Sequence, residues 1–267
     1  MNRLLGKLRK DLLLIICMFA VTACGSDDES EGSSTLSGKK LSRIIFIGKD
    51  DTSEKLFSYD NTGTISQIHQ NWNDSRESVV SIYVAGDAVS WTCEGKGWTA
   101  LLENGRVVSM GNNYKFSYDT NNRLTEIKDE NTYFKYNTYR VTWQGDNISK
   151  LERIDQDGNT VFESIEYTYT SKLSHMLTWE LYFNPFRDLN FLDTTTSSAF
   201  FYTGACGTLS KNLPATAVYR RSNGDVASCS YNYDMDSSGY PISITIKGEG
   251  YKADFEGWPV NIFIDWE

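Results

Sequence analysis

Few side chains in this sequence are both suited to chemistry and spaced for it. Calcium binding has the clearest pattern, because Asp234-Met235-Asp236-Ser237-Ser238-Gly239 places oxygen-bearing side chains at alternate positions and a glycine sixth. The twelfth position is Thr245, so the bidentate carboxylate of a calcium loop is missing. In a second acidic stretch, residues 155–166, the twelfth position is Glu166, which could supply the bidentate carboxylate, but Gly158 does not lie at the sixth position. Both lie in predicted turns, where the backbone itself favours Asp and Gly, and the sequence predicts no metal site.

Catalysis by histidine has little to draw on, since the chain has two histidines. His69 lies on a predicted strand among amide side chains, and His175 lies near a predicted helix start. Neither belongs to a Gly-x-Ser-x-Gly or His-Glu-x-x-His motif. Paired carboxylates, as in glycoside hydrolases, need no sequence motif and stay an alternative. The sequence thus predicts no catalytic residue, no cofactor and no enzyme activity.

Three cysteines lie in the body of the chain, at positions 93, 206 and 229. In an exported protein Cys206 and Cys229, the pair closest in sequence, could form a disulfide. Small buried thiols pack like apolar groups, and that is the favoured interpretation of all three. The pairing of Cys206 with Cys229 stays open.

The first 23 residues predict an export signal. A basic region, residues 3–10, precedes an apolar run, residues 12–21, that is too short to span a bilayer permanently. Val21-Thr22-Ala23-Cys24 resembles a bacterial lipobox, which implies cleavage before Cys24 and lipidation of that cysteine. The alternative is an ordinary signal peptide followed by a chance cysteine. Acyl chains that bury CH₂ groups at about 0.8 kcal/mol each would anchor the protein to a membrane.

Residues 24–40 predict a flexible acidic tether, because they are too polar to bury a core. Gly25-Ser26-Asp27-Asp28-Glu29-Ser30-Glu31 resembles the acidic export signal of Bacteroidetes lipoproteins, which implies an outer-membrane protein facing the cell exterior. The net charge of the chain is −9, and the first 23 residues carry four basic side chains and one acidic one, which leaves −12 for the remainder. This acidity argues against a nucleic-acid partner.

Residues 41–267 predict a single antiparallel β domain. Ile242 to Ile246 alternate strictly between apolar and polar, and Val161, Ile165, Tyr167 and Tyr169 share one parity. Short turns that tolerate positive φ, such as Asn104-Gly105, separate the runs. Strands joined by such short turns pair antiparallel. We therefore expect one mainly β meander of many short hairpins that forms a curved sheet or a barrel.

A repeat of about ten residues accompanies the hairpins. Residues 59–68, which begin Tyr59-Asp60, align with residues 118–127, which begin Tyr118-Asp119. Tyr233-Asp234 is predicted to begin a third copy, with a turn two residues longer that ends at Gly239. The pattern resembles the tyrosine–aspartate (YD) repeats of Rhs-type shell proteins. That resemblance implies that Tyr packs, Asp caps the turn and Gly takes a positive φ.

One segment departs from the strand pattern. Apolar residues recur at helical spacing after Ser171, which predicts one short helix near 172–182. Asn184-Pro185, an aromatic-Gly element ending at Gly204, and Lys211-Asn212-Leu213-Pro214 follow. This order resembles a family of Bacteroidetes lipoproteins of unknown function with a porin-like fold, although the stretch around Cys206 departs from it. The resemblance implies a fold and transfers no activity.

The predicted strands are poor membrane-spanning strands. Most runs have 5–8 residues where a lipid-embedded barrel needs about 9–11, and charges such as Arg43 and Lys55 interrupt them. We therefore expect a curved sheet or barrel outside the lipid, with the helix covering one opening or face.

The function is harder to predict from the sequence than the fold. Aromatic residues make up 13% of the chain, and its seven tryptophans could stack on sugar rings if several shared one exposed face. Packing within the sheet is the favoured interpretation for each of them. We predict a surface-exposed lipoprotein that acts as a non-catalytic binding or structural module, with the membrane and a glycan or surface protein as partners. The alternatives are a carbohydrate-binding accessory in glycan uptake and a glycoside hydrolase-like enzyme with paired carboxylates.

Overall fold

Alternation of apolar and polar side chains produces strands along almost the whole body of the chain. The structure is a computed structural model that describes residues 38–48, 52–72, 76–111, 113–130, 136–155, 158–175, 199–250 and 259–267. Within these ranges the chain forms one 3₁₀ helix, Ala199–Thr203, and sixteen strands. The strands are β1 (Leu41–Ile47), β2 (Thr52–Tyr59), β3 (Ile65–Trp72), β4 (Glu77–Ala85), β5 (Ala88–Cys93), β6 (Lys96–Glu103), β7 (Arg106–Met110), β8 (Tyr114–Tyr118), β9 (Leu124–Asp129), β10 (Tyr136–Gln144), β11 (Asn147–Asp155), β12 (Val161–Leu173), β13 (Asn212–Arg221), β14 (Val226–Met235), β15 (Pro241–Gly250) and β16 (Val260–Trp266).

The sixteen strands close into a barrel. Each pairs antiparallel with its neighbours in sequence, and β1 pairs with β16, so that Leu41 lies opposite Trp266. Just beyond these two strands Lys40 and Glu267 exchange backbone hydrogen bonds of 2.5 and 2.8 Å. The prediction of one antiparallel meander that forms a curved sheet or a barrel is confirmed, and the structure shows that the sheet closes.

The inside of the barrel is mostly apolar, and the outside mixes polar and charged side chains with exposed apolar ones such as Leu56 and Phe263. On β14 small and aromatic side chains at alternate positions are buried in the core, and polar side chains lie between them. The buried set is Ala227, Cys229, Tyr231 and Tyr233, and the outward set is Ser228, Ser230, Asn232 and Asp234. Inward residues on distant strands, such as Val89, Leu124 and Ile165, are 0% exposed. Side chains along a water-filled channel would be exposed, so the interior beside these residues is packed.

An aromatic collar runs round one end of the barrel. Each member lies toward the same end of an even-numbered strand and donates a hydrogen bond from its hydroxyl or indole N–H to a backbone carbonyl oxygen of the preceding strand. The pairs are Tyr59 with Leu41 (2.7 Å), Tyr118 with Val107 (2.8 Å), Trp143 with Leu124 (2.8 Å), Tyr169 with Ile148, Tyr233 with Pro214 (2.7 Å) and Trp266 with Pro241 (2.7 Å). We call this end the collar end and the opposite one the far end.

Aspartates shape three turns at the collar end. The carboxylates of Asp60, Asp119 and Asp236 each accept backbone N–H groups from the residues two and four positions later, at 2.8–3.0 Å. The third turn therefore has the length of the other two, and the prediction that it begins at Tyr233-Asp234 is wrong. β14 runs on to Met235, and the Asp234 carboxylate instead accepts a hydrogen bond from Ser243 Oγ at 2.7 Å.

The described part of the connection from β12 to β13 that precedes β13, residues 199–211, lies at the collar end of the barrel and is here called the inner strap. The ring of Tyr202 packs against Phe57 with 5.1 Å between centroids, and Cys206 is buried in the same core. Backbone hydrogen bonds then join the strap to β7 and to two turns: Val107 N to Ala205 O (2.8 Å), Thr208 N to Asn122 O (2.7 Å) and Lys211 N to Asp146 O (3.0 Å).

The predicted helix near 172–182 overlaps the described residues only at its start. Lys172 and Leu173 belong to β12, because pairing with β13 extends to Leu173 opposite Asn212. Residues 176–198, which hold the rest of that prediction, lie outside the described ranges. Among the residues that are described, no helix has the length and hydropathy needed to cross a membrane.

Candidate functional site

A row of polar side chains interrupts the apolar inside of the barrel near its far end. The row takes one residue from each of six neighbouring strands, β8 to β13. Pairing places Tyr114 opposite Asp129, Tyr139 opposite Arg153, Arg153 opposite Glu163, and Glu163 opposite Arg221. These positions have the parity of inward core residues on the same strands, so their side chains face the interior. We call them the inner polar row.

Glu163 is the buried centre of the inner polar row, with a side chain that is 0% exposed. The Tyr219 hydroxyl donates a 2.8 Å hydrogen bond to Glu163 Oε2. Arg153 Nη1 lies 3.3 Å from Oε1, and Arg221 Nη2 lies 3.8 Å from Oε2. An ion buried this completely is stable only with opposite charge and hydrogen bonds around it. Two guanidinium groups provide that charge, and both arginine side chains remain 22% exposed.

A β-bulge presents Phe162 to both arginines. Arg153 pairs with Glu163 and Ile154 pairs with Val161, so Phe162 is the extra residue of β12. The guanidinium carbons of Arg153 and Arg221 each lie 5.6 Å from the centroid of the Phe162 ring, within the range of a cation–π contact. One carboxylate and one ring thus position two guanidinium groups.

The tyrosines of this cluster are hydrogen-bond donors and not bases. Burial raises the pKa of Tyr139 to about 12. Burial and the charge of Glu163 raise the pKa of Tyr219, and burial and the charge of Asp129 raise that of Tyr114. A general base works best when its pKa lies near the pH of the reaction. These side chains therefore stay protonated at neutral pH, and Tyr219 donates its hydrogen bond to Glu163 within the cluster.

A second set of inward polar residues lies half-way round the ring, on β2 to β4. Lys55 is opposite Gln70, Gln70 is opposite Ser78, and all three are buried. Lys55 Nζ donates a 3.2 Å hydrogen bond to the Tyr202 hydroxyl of the inner strap. This set therefore helps to fix the strap against the wall of the barrel.

A shallow groove of about 500 Å³ lies on the outer surface over β8, β9 and β10. β9 and β10 are paired only between Glu126–Lys128 and Thr138–Arg140, and the groove occupies the collar-side stretch where that pairing has ended. The Arg123 guanidinium covers the Trp143 ring at 5.4 Å and lies 2.6 Å from the Asp119 carboxylate. Although burial opposes the effect, hydrogen bonds from Arg123 and the turn hold the pKa of Asp119 below its usual range.

The described tryptophans pack and do not form an exposed row. Trp91 is fully buried and stacks on Trp98 with 6.4 Å between ring centroids. The Arg76 guanidinium lies 5.6 Å from the ring centroid of Trp72, and two further tryptophans belong to the aromatic collar. These contacts favour the packing interpretation over sugar stacking. The remaining two, Trp179 and Trp258, lie outside the described residues.

In both calcium-like stretches an aspartate carboxylate accepts hydrogen bonds from backbone N–H groups of its own turn. Lys39 Nζ lies 2.5 Å from Oδ2 of Asp236, and the N–H groups of the turn also donate to this carboxylate. These hydrogen bonds keep the pKa of Asp236 below its usual range. The Asp155 carboxylate likewise accepts the N–H groups of Asn159 and Thr160. Across the described ranges, no three or more His, Cys, Asp or Glu side chains come together as a metal ion would require.

The structure separates the other residues that the sequence singled out. His69 Nε2 lies 2.5 Å from Glu77 Oε1 on the outer surface, whereas the His175 ring stacks on Tyr240 at 4.0 Å. Cys206 and Cys229 are buried free thiols. Cys24 lies outside the described residues, so its lipidation stays a prediction.

Sequence reasoning missed the inner polar row, although a signal for it was present. Glu163 has the same parity as Ile165, Tyr167 and Tyr169, so an acidic side chain interrupts an otherwise apolar series. Arg221 likewise follows Tyr219 on the buried parity of β13. A charge on the inward parity of a strand must be paired, and that requirement points to partners on neighbouring strands.

No protein-family model and no curated protein matches this sequence. Solved structures do match it. A porin-like protein from Bacteroides uniformis aligns with a TM-score of 0.63 and 14% identity, over 85% of this chain and 96% of that one. A porin-like protein from Bacteroides vulgatus aligns with a TM-score of 0.53 and 12% identity, over 86% of this chain and 99% of that one.

The fold is shared with these porin-like proteins. The resemblance to a porin-like fold that the sequence suggested is thereby confirmed at the level of the backbone. At such low identity the likeness concerns the fold alone, and the inner polar row and the groove are properties of this chain.

Proposed function

We propose that this protein is an exported lipoprotein that is held on the outer membrane by a lipidated Cys24, faces the cell exterior and acts as a non-catalytic binding or structural module. The observation that carries the proposal is the outer face of the barrel, where charged side chains such as Arg43, Glu54 and Lys150 interrupt the exposed apolar ones. A barrel embedded in lipid needs an apolar outer band. A covalent lipid would supply the membrane attachment for which this outer surface is not suited.

The site geometry supports binding over catalysis. The Glu163 carboxylate is engaged by two arginines and a tyrosine, and the Asp119 carboxylate is engaged by Arg123 and its own turn. The tyrosines beside Glu163 have raised pKa values. Carboxylates whose partners are supplied by the protein itself in this way are poorly placed to act as a general acid or base.

The solved neighbours carry the name porin-like and come from Bacteroides species, which agrees with an outer-membrane setting.

The membrane part of the proposal is tested by Cys24→Ala in the full chain, with Cys17→Ala as the matched control. Cys17 lies within the predicted signal, so its replacement should leave acyl labelling and membrane fractionation unchanged. Cys24→Ala should abolish the acyl label, and the protein should either be released from the membrane or remain unprocessed. Retention of both the label and the membrane location in Cys24→Ala would contradict the proposal.

The binding part is tested by screening the detergent-solubilised full chain against a glycan array and a panel of glycosidase and esterase substrates. We expect no turnover. Turnover that disappears on replacing one Asp or Glu in a folded variant would select the hydrolase alternative. Glycan binding that disappears on replacing one aromatic residue would select the carbohydrate-binding alternative.

A further inference from the structure

We infer that the groove over β8, β9 and β10 is a binding site for a neutral saccharide. The inference rests on the proposed binding function and deepens it by naming a site and a class of ligand. It is carried by the opening between β9 and β10 and by the polar side chains around that opening. The groove volume of about 500 Å³ lies in the range of small-molecule sites.

The opening between β9 and β10 is closed at both of its ends. On the far side Glu126 pairs with Arg140, the last pair that the two strands make. On the collar side Trp143 Nε1 donates a 2.8 Å hydrogen bond to the Leu124 carbonyl oxygen. Beside it, Arg123 Nη1 donates another of 2.8 Å to a backbone oxygen of the β10–β11 turn. These contacts fix the separation of the strands, so little ordering is needed when a ligand binds.

Inward side chains of β10 form the floor of the groove. Val141 and Trp143 pack with the core of the barrel, and both also line the groove on its outer surface. They are reached from outside because β9 is not paired with this stretch of β10. The Arg123 guanidinium, 5.4 Å from the centroid of the Trp143 ring, holds that ring in place. An apolar floor with a few polar groups around it is the usual form of a small-molecule site.

Outward polar side chains form the rim of the groove. Register places Ser117 opposite Glu126 and Glu126 opposite Arg140, and Thr142 follows on the collar side. Among the residues that the structure describes, the Glu126 carboxylate and the hydroxyls of Ser117 and Thr142 have no hydrogen-bond or ion-pair partner in the protein. A carboxylate accepts hydrogen bonds, and a hydroxyl both donates and accepts them. These three groups are therefore available to a ligand.

Arg140 adds hydrogen-bond donors to the rim. Its side chain is 44% exposed, and Nη1 lies 3.8 Å from Glu152 Oε2, which is too far for a hydrogen bond. Lys150 Nζ, 2.9 Å from Oε1, is the closer cation to Glu152. The Arg140 guanidinium therefore keeps N–H groups for a ligand, at a position opposite Glu126 in the register.

Charge and spacing favour a neutral ligand with several hydroxyls. The groove lining holds two acidic and two basic side chains, and Asp119 and Arg123 are already paired at 2.6 Å. A charged ligand would gain no net attraction from this lining. The rim takes its acceptors and donors from three neighbouring strands, which lie about 5 Å apart. Sugar hydroxyls both donate and accept hydrogen bonds, and the C–H face of a sugar ring suits an apolar floor.

The test measures binding of the full chain to an array of neutral, sialylated and sulfated glycans, over a series of protein concentrations and in a detergent without a sugar headgroup. We expect at least one neutral glycan to bind. Glu126→Ala should weaken that binding by about ten-fold or more, because it removes a charged hydrogen-bond acceptor. Thr142→Val keeps the shape of the side chain and removes its hydroxyl, and it should weaken binding by about two-fold to ten-fold.

Glu166→Ala and Thr92→Val are the matched controls, because each changes the same residue type at an exposed position outside the groove, and both should bind like the wild type. Unfolding midpoints without glycan identify the folded variants, and Ser117→Ala, with a loss of about two-fold or more, replaces any groove variant that does not fold. Binding of acidic glycans alone, binding of no glycan, or groove variants that bind as tightly as the controls would overturn the inference. None of these results affects the acyl labelling of Cys24 or the turnover assays, so failure of the inference is distinguishable from failure of the proposed function.

Discussion

The Tyr118 hydroxyl donates a 2.8 Å hydrogen bond to the backbone carbonyl oxygen of Val107, one strand earlier in the barrel. Val107 itself is 0% exposed, so its carbonyl oxygen lies where water does not readily replace a lost partner. Burial raises the pKa of Tyr118 far above its usual value, which keeps the hydroxyl protonated and able to donate. The same bond recurs in all six members of the aromatic collar.

Replacing Tyr118 by Phe should lower the free energy of unfolding by about 1–3 kcal/mol, because the variant leaves a buried carbonyl oxygen without its donor. The control is Tyr83→Phe, on a side chain that is 61% exposed, which should change stability by less than about 0.5 kcal/mol. Urea unfolding followed by fluorescence measures both. Equal midpoints for the two variants would show that the collar bonds do not stabilise the barrel.

The inner strap passes one point where only glycine fits. A Cβ on Gly207 would lie 2.3 Å from the Asn122 backbone oxygen and 3.0 Å from the Tyr118 ring, and Gly207 has a φ of +79°. Gly207→Ala should therefore cost about 3 kcal/mol or more through overpacking and backbone strain together. Gly204→Ala is the matched control, because its φ is +76° with no atom within 4 Å, and it should cost about 1–2 kcal/mol. Similar unfolding midpoints for both would contradict the close approach of the strap to the β8–β9 turn.

Asp119 should make stability depend on pH in the acid range. Its folded pKa is lowered, so its stabilisation is fully present above the unfolded pKa of about 3.9 and disappears as the pH falls through the lower folded value. Asp119→Asn should be less stable than the wild type at pH 6, and the two should converge toward pH 3. The exposed Asp87→Asn variant, in the β4–β5 turn, serves as the comparison in a series of urea titrations. A constant difference between Asp119→Asn and wild type from pH 6 to pH 3 would refute the assignment.

Glu163→Gln should destabilise the barrel by about 3–5 kcal/mol, because it removes the carboxylate that compensates two partly buried guanidinium groups. The matched control is Glu166→Gln, three residues further along β12, where the native side chain is 51% exposed and lies 3.7 Å from Lys150 Nζ. This control should cost no more than about 1 kcal/mol. Thermal or chemical unfolding of both variants provides the measurement, and a small effect at Glu163 would mean that the cluster tolerates loss of its central charge.

Local patterns were sufficient to predict the strands and their antiparallel order. The alternation in Ile242 to Ile246 became part of β15, and Asn104-Gly105 became the β6–β7 turn with both residues at positive φ. Such features depend on residues close together in sequence, which is why the meander could be predicted. Closure of the barrel could not be predicted, because the pairing of Leu41 with Trp266 joins residues far apart in the sequence and produces no local sequence pattern.

The candidate site was less predictable for the same reason. The four charged members of the inner polar row, Asp129, Arg153, Glu163 and Arg221, have the wrong polarity for their inward parity, and a single strand shows only one such exception. Glu163 becomes interpretable once β11 and β13 place Arg153 and Arg221 on either side of it. The third aspartate turn was misplaced because Met235 occupies the position that Tyr59 and Tyr118 take in the other two.

The pairing of β16 with β1 is the contact that closes the barrel. Removing the seven residues Val260–Trp266 would not simply shorten the barrel, because it would strip a partner from both β1 and β15 and turn a ring into a ribbon with two bare edges. A chain synthesised from its amino end carries β1 as such an edge until β16 has been made. Closure of the ring therefore depends on β16, and a barrel without that strand would offer the edges of β1 and β15 to other chains.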